Sequence, residues 1–96
     1  MKIVVSYDIS DDKRRREVAK IMEGHGYRVQ YSVFECELDL KQIAKLQKKL
    51  RPFVKIKDMD SIRFYPLSTH SASQIQVIGN DMARSLGIIA VVATPE

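Results

Sequence analysis

Cysteine, proline and glycine are all scarce in this chain, and each scarcity removes a class of protein. A single cysteine, Cys36, excludes an internal disulfide and a cysteine-rich metal site, which suits a reducing cytoplasm. Cys36 stands in an alternating apolar stretch with no basic neighbour to lower its pKa, so it reads as core or sheet filler. Three prolines and four glycines in 96 residues leave room for one domain, residues 1–96. Long hydrophobic runs are missing too. The opening Ile3-Val4-Val5 is too short for a signal peptide, and nothing approaches the roughly 18 apolar residues of a membrane span. The expectation is a soluble, cytoplasmic protein with no membrane partner. A chain this short buries a modest share of its surface, which favours a second subunit over an apolar face.

What is present is charge and alternation. Sixteen Lys and Arg against twelve Asp and Glu give a net charge of +4, and the pI near 9.3 favours polyanionic partners. Residues 2–9 form a β-branched strand with two apolar faces, Ile3, Val5 and Tyr7 against Val4, Ser6 and Asp8. Asp11 and Asp12 offer capping carboxylates for a helix reaching Glu23, with Val18, Ile21 and Met22 as its buried stripe and glycine as its C-cap. Residues 28–38 alternate again without Gly or Pro, as one bulged strand or two short ones. Asp39 with Gln42 is a capping-box pattern opening a second helix, whose stripe is Leu40, Ile43, Leu46 (or Ala44) and Leu50 until Pro52. A polar connector, residues 55–60, leads to a strand over residues 61–67, with Pro66 suited to its end or an edge. Residues 68–73 read as loop. Residues 75–78 and 88–93 are short apolar pieces around a possible helical turn at residues 81–86.

This alternation, without internal repeats, indicates an α/β or α+β sandwich with two helices on one sheet face. Two helices cannot cover both faces. The bare face must meet a subunit or the C-terminal segment.

Several residues carry possible chemistry. Asp8 ends the first strand, a position as typical of a turn or cap as of catalysis. In a two-fold dimer using the bare face, two copies of Asp8 could hold one Mg²⁺ with waters and phosphate oxygens. Lys13-Arg14-Arg15-Arg16 crowds the first helical turn, where cations oppose the macrodipole and a phosphate partner would compensate; Arg28 extends the patch. His25 suits a helix end, His70 lies in a polar loop, and neither has zinc-ligand spacing to other ligands. Tyr31, Phe34, Phe64 and Tyr65 fit core and interface packing better than base stacking.

The runs Tyr7-Asp8-Ile9, Lys13-Arg14-Arg15 with Val18, Gly26, Arg28-Val29-Gln30-Tyr31-Ser32-Val33-Phe34-Glu35 and Asp60-Ser61-Ile62-Arg63-Phe64-Tyr65-Pro66-Leu67 follow one another as in the CRISPR-associated protein 2 family. The chain resembles that family over residues 1 to about 79. The resemblance implies an α+β, ferredoxin-like (βαββαβ) sandwich with an extra C-terminal strand, here residues 74–78, pairing across a homodimer; residues 74–96 form the strand and tail at the dimer edge. It also implies a Mg²⁺ site between two copies of Asp8, with Tyr7, Arg15, Arg28 and Phe34 as supporting residues. Lys13, Arg14, Arg15, Arg16 and Arg28 would bind nucleic acid, and the CRISPR-associated integrase would be the protein partner. Glu17 departs from relatives that carry a basic residue there, and beyond Gly79 the likeness fades.

Three functions compete. The first is Mg²⁺-dependent endonuclease cleavage of single-stranded RNA or double-stranded DNA in CRISPR spacer acquisition. The second is a non-catalytic DNA-binding adapter that bridges the integrase. The third is a ferredoxin-like metabolite or interaction module whose basic face is only solvated. A toxin-type ribonuclease of the same fold is a more remote alternative.

Overall fold

Alternation in the first strand decides the architecture. The structure, a computed structural model, describes residues 1–81. In β1 (Lys2–Asp8), Ile3, Val5 and Tyr7 are buried, while Val4 and Ser6 are half-buried and Asp8 is exposed. One face therefore meets the helices and the other does not. β2 (Gly26–Gln30) and β3 (Val33–Glu37) form a hairpin turning at Tyr31-Ser32, so the long alternating stretch is two strands. β4 (Ser61–Leu67) completes an antiparallel sheet of order β2-β3-β1-β4.

α1 (Asp12–Glu23) is capped by Asp11, whose side chain accepts from the Arg14 N–H at 2.9 Å. Its buried residues are Val18 and Met22, with Ile21 and Ala19 packed at the margin of the core. α2 (Leu40–Leu50) begins with the expected capping box, Asp39 and Gln42 bonding reciprocally at 2.8 and 2.9 Å. It buries Leu46 and Leu50. Leu40 corrects the expected stripe: at 74% exposure it lies on the solvent side of the first turn, and Ala44 in the next turn is exposed too. Short 3₁₀ turns at Arg51–Phe53 and Ile56–Asp58 follow, and Met59 closes the second with a left-handed φ of 63°.

Both helices rest on the face of Ile3, Val5, Tyr7, Phe34 and Cys36, forming one core. Each large side chain fully buried there contributes about 1.5–3 kcal/mol of hydrophobic stabilisation. Cys36 is core filler, its thiol pushed up to about 11, chiefly by burial and then by the Glu35 charge. Gly26 is dictated by crowding between β2 and β3, since a Cβ there would stand 2.4 Å from the Glu35 carbonyl oxygen and 2.5 Å from Cys36 Sγ. Gly24 is the helix C-cap, with ordinary right-handed angles.

Residues 68–73 are not simply loop. Ser68 accepts from the Ser71 N–H and caps a short helix, α3 (Thr69–Ser73), which carries His70. Residues 75–78 do not form a strand within one chain; only Gln76 makes an isolated bridge, and Ile78 is 93% exposed. A strand expected to pair across a dimer has no ladder in a single subunit. The expected helical turn at residues 81–86, beyond its first residue, and the apolar piece at residues 88–93 lie outside the described residues. No helix among the described residues is long and apolar enough to cross a membrane.

Candidate functional site

The carboxyl end of β1 is held from both sides. Asp60, just before β4, is buried; its Oδ1 accepts from the Ser10 N–H at 3.0 Å and the Ser10 hydroxyl at 3.2 Å. Its Oδ2 accepts from the Lys55 N–H at 3.0 Å and Arg14 Nη2 at 2.7 Å. The Ser10 amide, Arg14 and the Lys55 amide outweigh the desolvation of the Asp60 carboxyl and hold it well below the usual carboxylate range. From the other side, the Arg15 guanidinium donates to the Ile9 and Ser10 carbonyls at 2.9 and 3.4 Å and is bonded to Asp12.

Asp8 leaves this clamp on the uncovered sheet face. It is exposed and opposes Ser61 in β4, and the next rung of the same face pairs Ser6 with Arg63. Arg63 is thus a diagonal neighbour of Asp8. Strand parity within β4 carried that signal, but only the register joins the two residues.

The helix side carries a second feature. Between α1 and the β2–β3 hairpin lies a groove of about 510 Å³, walled by Arg15, Arg16 and Lys20 from the helix and Tyr7, Arg28 and Tyr31 from the sheet. Arg28 opposes Phe34 across the strands, its guanidinium carbon 5.2 Å from the Phe34 ring centre and 5.9 Å from that of Tyr31. Tyr7 and Phe34 stack at 6.2 Å.

Four of the residues expected around one cleft, Tyr7, Arg15, Arg28 and Phe34, are therefore together. Asp8 is apart from them, since consecutive strand residues point to opposite faces. The basic run also divides. Arg14 turns inward to Asp60, Asp58 and the Phe53 carbonyl, Arg15 and Arg16 reach the groove, and Lys13 is exposed. Hydrogen bonding to Asp60 raises the Arg14 pKa and hydrogen bonding to Asp12 raises that of Arg15, so the unfavourable helix dipole is compensated within the chain for both. His25 behaves as a helix-end residue, Nδ1 donating to the Ile21 carbonyl at 2.8 Å. Tyr31 departs from the packing expected of it: it is 76% exposed at the hairpin turn. Sequence reading passed over Lys20 and the carboxylate role of Asp60.

A family model described as CRISPR associated protein Cas2 matches residues 1–75. The chain belongs to that family. It is 50% identical over 76 residues to the CRISPR-associated endoribonuclease Cas2 3 of Synechocystis sp., covering 79% of this chain and 82% of the relative. The CRISPR-associated endonuclease Cas2 2 of Thermus thermophilus is 40% identical over 75 residues, 78% of each chain. The crystal structure of Streptococcus pyogenes Cas2 at pH 6.5 superimposes with a TM-score of 0.71 at 33% identity, over 82% of this chain and 100% of that one. A chain of the partial Cas6-RT-Cas1–Cas2 complex gives a TM-score of 0.70 at 29% identity, over 85% and 96% respectively. The βαββαβ order and the antiparallel sheet are those of a ferredoxin-like Cas2 fold.

Proposed function

We propose that this chain is a cytoplasmic, Mg²⁺-dependent endonuclease of CRISPR spacer acquisition, acting as a homodimer that brings two copies of Asp8 together over RNA or DNA. The observation that carries the reading is Asp8 itself: an exposed carboxylate, fixed at the clamped end of a central strand, on the face that no helix covers. The donor set suits a magnesium ion in duplicate. Mg²⁺ takes one or two carboxylates with waters and phosphate oxygens. Each subunit supplies one, and no group of three or more His, Cys, Asp or Glu side chains among the described residues is arranged to hold a metal ion.

When bound, the ion would polarise a phosphodiester and lower the pKa of a water. The chain's residues do the rest. Asp60 and Arg15 hold residues 9 and 10, so the carboxylate keeps its place without rearrangement. Lys13 offers a phosphate contact beside the strand end, whereas Arg16 and Arg28, in the groove on the other sheet face, engage flanking nucleic acid. Arg14 acts through the clamp.

A second reading is favoured by the sparse donor set. With one carboxylate per chain, the protein serves as a DNA-binding adapter that bridges the CRISPR-associated integrase, in keeping with a relative solved in a Cas1–Cas2 complex. Cleavage of labelled RNA and duplex DNA with and without Mg²⁺, with Asp8→Ala alongside, separates the two. Mg²⁺-dependent cutting that disappears in the variant is the expected result. Absence of cutting, or equal cutting by both proteins, removes the catalytic reading and leaves the adapter.

A further inference from the structure

The groove between α1 and the hairpin has a composition that the Asp8 site does not explain. It holds four cationic side chains against two carboxylates, and one of those carboxylates, Asp12, is already bonded to Arg15. Arg28, Arg16 and Lys20 form no ion pair among the described residues. Arg28 differs from a mobile surface arginine. Its guanidinium lies against the Tyr31 and Phe34 rings, which restrict its position without neutralising its charge. Beneath it, Tyr7 lines the groove, and its hydroxyl, which is not fully buried, makes no hydrogen bond among the described residues. A phenolic hydroxyl open to the groove can donate a hydrogen bond to a phosphate oxygen. Tyr31 leaves most of its surface to solvent at the mouth of the same groove.

We propose that this groove binds one unpaired nucleotide, its phosphate held by Arg28 with Arg16 and the Tyr7 hydroxyl, and its base stacked on Tyr31. A held guanidinium suits a phosphate, with N–H donors that can bond two oxygens at once. An exposed tyrosine beside it is the stacking platform that single-strand binders use. The volume lies within the range of small-ligand sites, about 300–1,000 Å³. A base inside a duplex is stacked on both faces and has none to give to Tyr31. The chemistry is shared by a single-stranded end and a free mononucleotide. The inference rests on the reading of this chain as a nucleic-acid-handling protein, and is independent of catalysis because Asp8 lies on the other side of the sheet.

The test is calorimetry and ¹⁵N NMR titration of the full chain in EDTA, where metal-dependent cleavage is silent. The probes are a 5′-phosphorylated thymidine dinucleotide, its unphosphorylated counterpart, adenosine monophosphate and a short blunt duplex. The phosphorylated dinucleotide is expected to bind best and to shift the amides of Tyr7, Arg28 and Tyr31. Arg28→Gln and Tyr31→Leu should each weaken it by about tenfold or more, the scale of one lost contact or base stack. Arg28→Lys should restore part of the loss, and Asp8→Ala should bind as the parent does. Equal affinity for adenosine monophosphate would identify free nucleotide as the source and uphold the site. Unchanged binding by Arg28→Gln, an equal loss in Asp8→Ala, or preference for the duplex would overturn it. A chain that binds here but never cuts loses only the catalytic reading.

Discussion

Asp60 makes stability depend on acid. Its folded pKa is depressed from an ordinary value near 3.8, so its contribution is fully present above that value and is lost as pH falls toward the folded one. The midpoint of thermal unfolding should therefore drop steeply below about pH 4. Asp60→Asn should be less stable than the parent at neutral pH and show a shallower decline in that acid range, as followed by circular dichroism. The identity of this residue was visible in the run from Asp60 to Leu67, but its task was not. Its partner Ser10 lies 50 positions away, and nothing local in either segment announces the pairing. Asp8 was legible as a strand-terminal carboxylate, and its face followed from parity. That Arg15 and Arg28 would lie on the other side of the sheet did not follow, because it depends on which face the helices choose.

Elements were legible where two signals coincided. The second helix had both a capping box and an apolar repeat, and it starts where Asp39 and Gln42 place it. Asp39→Ala should cost about 1 kcal/mol, or roughly 4–8 °C in Tm, with the fold retained; differential scanning calorimetry checks this, and a loss in Gln42→Ala should be smaller. Leu40 was misleading because the first turn of a helix can carry an apolar residue beyond the edge of the core it approaches. The hairpin was ambiguous for a chemical reason. Its turn is Tyr31-Ser32, without the Gly, Asn or Asp that usually marks one, and a register shift between Arg28 and Gln30 interrupts the alternation. The short helix after Ser68 lacked an apolar stripe altogether, leaving only its serine cap as a signal.

At the scale of the whole molecule, the uncovered face is what the sequence announced most clearly. The register lays Tyr27, Glu35, Val4 and Tyr65 in one row across all four strands of that face, with Lys2 reaching Glu35 at 3.1 Å. Tyr27 and Tyr65 are 40% and 46% exposed, so two bulky amphipathic rings flank a half-buried valine on an unpartnered sheet. The proposed homodimer would close over this row. Val4→Arg should then shift sedimentation velocity from dimer to monomer while leaving the far-ultraviolet spectrum unchanged, since Val4 faces away from the core. A variant that sediments as the parent does would move the subunit contact elsewhere.

The clamp at the end of β1 also constrains how this protein can change over generations. If Arg14 is lost first, Asp60 still holds the Ser10 and Lys55 amides and Ser10 keeps its acceptor. If Asp60 is lost first, two backbone amides and a guanidinium lose their shared acceptor at once. The path through the arginine is therefore passable and the path through the carboxylate is steep. Descendants of this sequence should vary at position 14 before they vary at position 60.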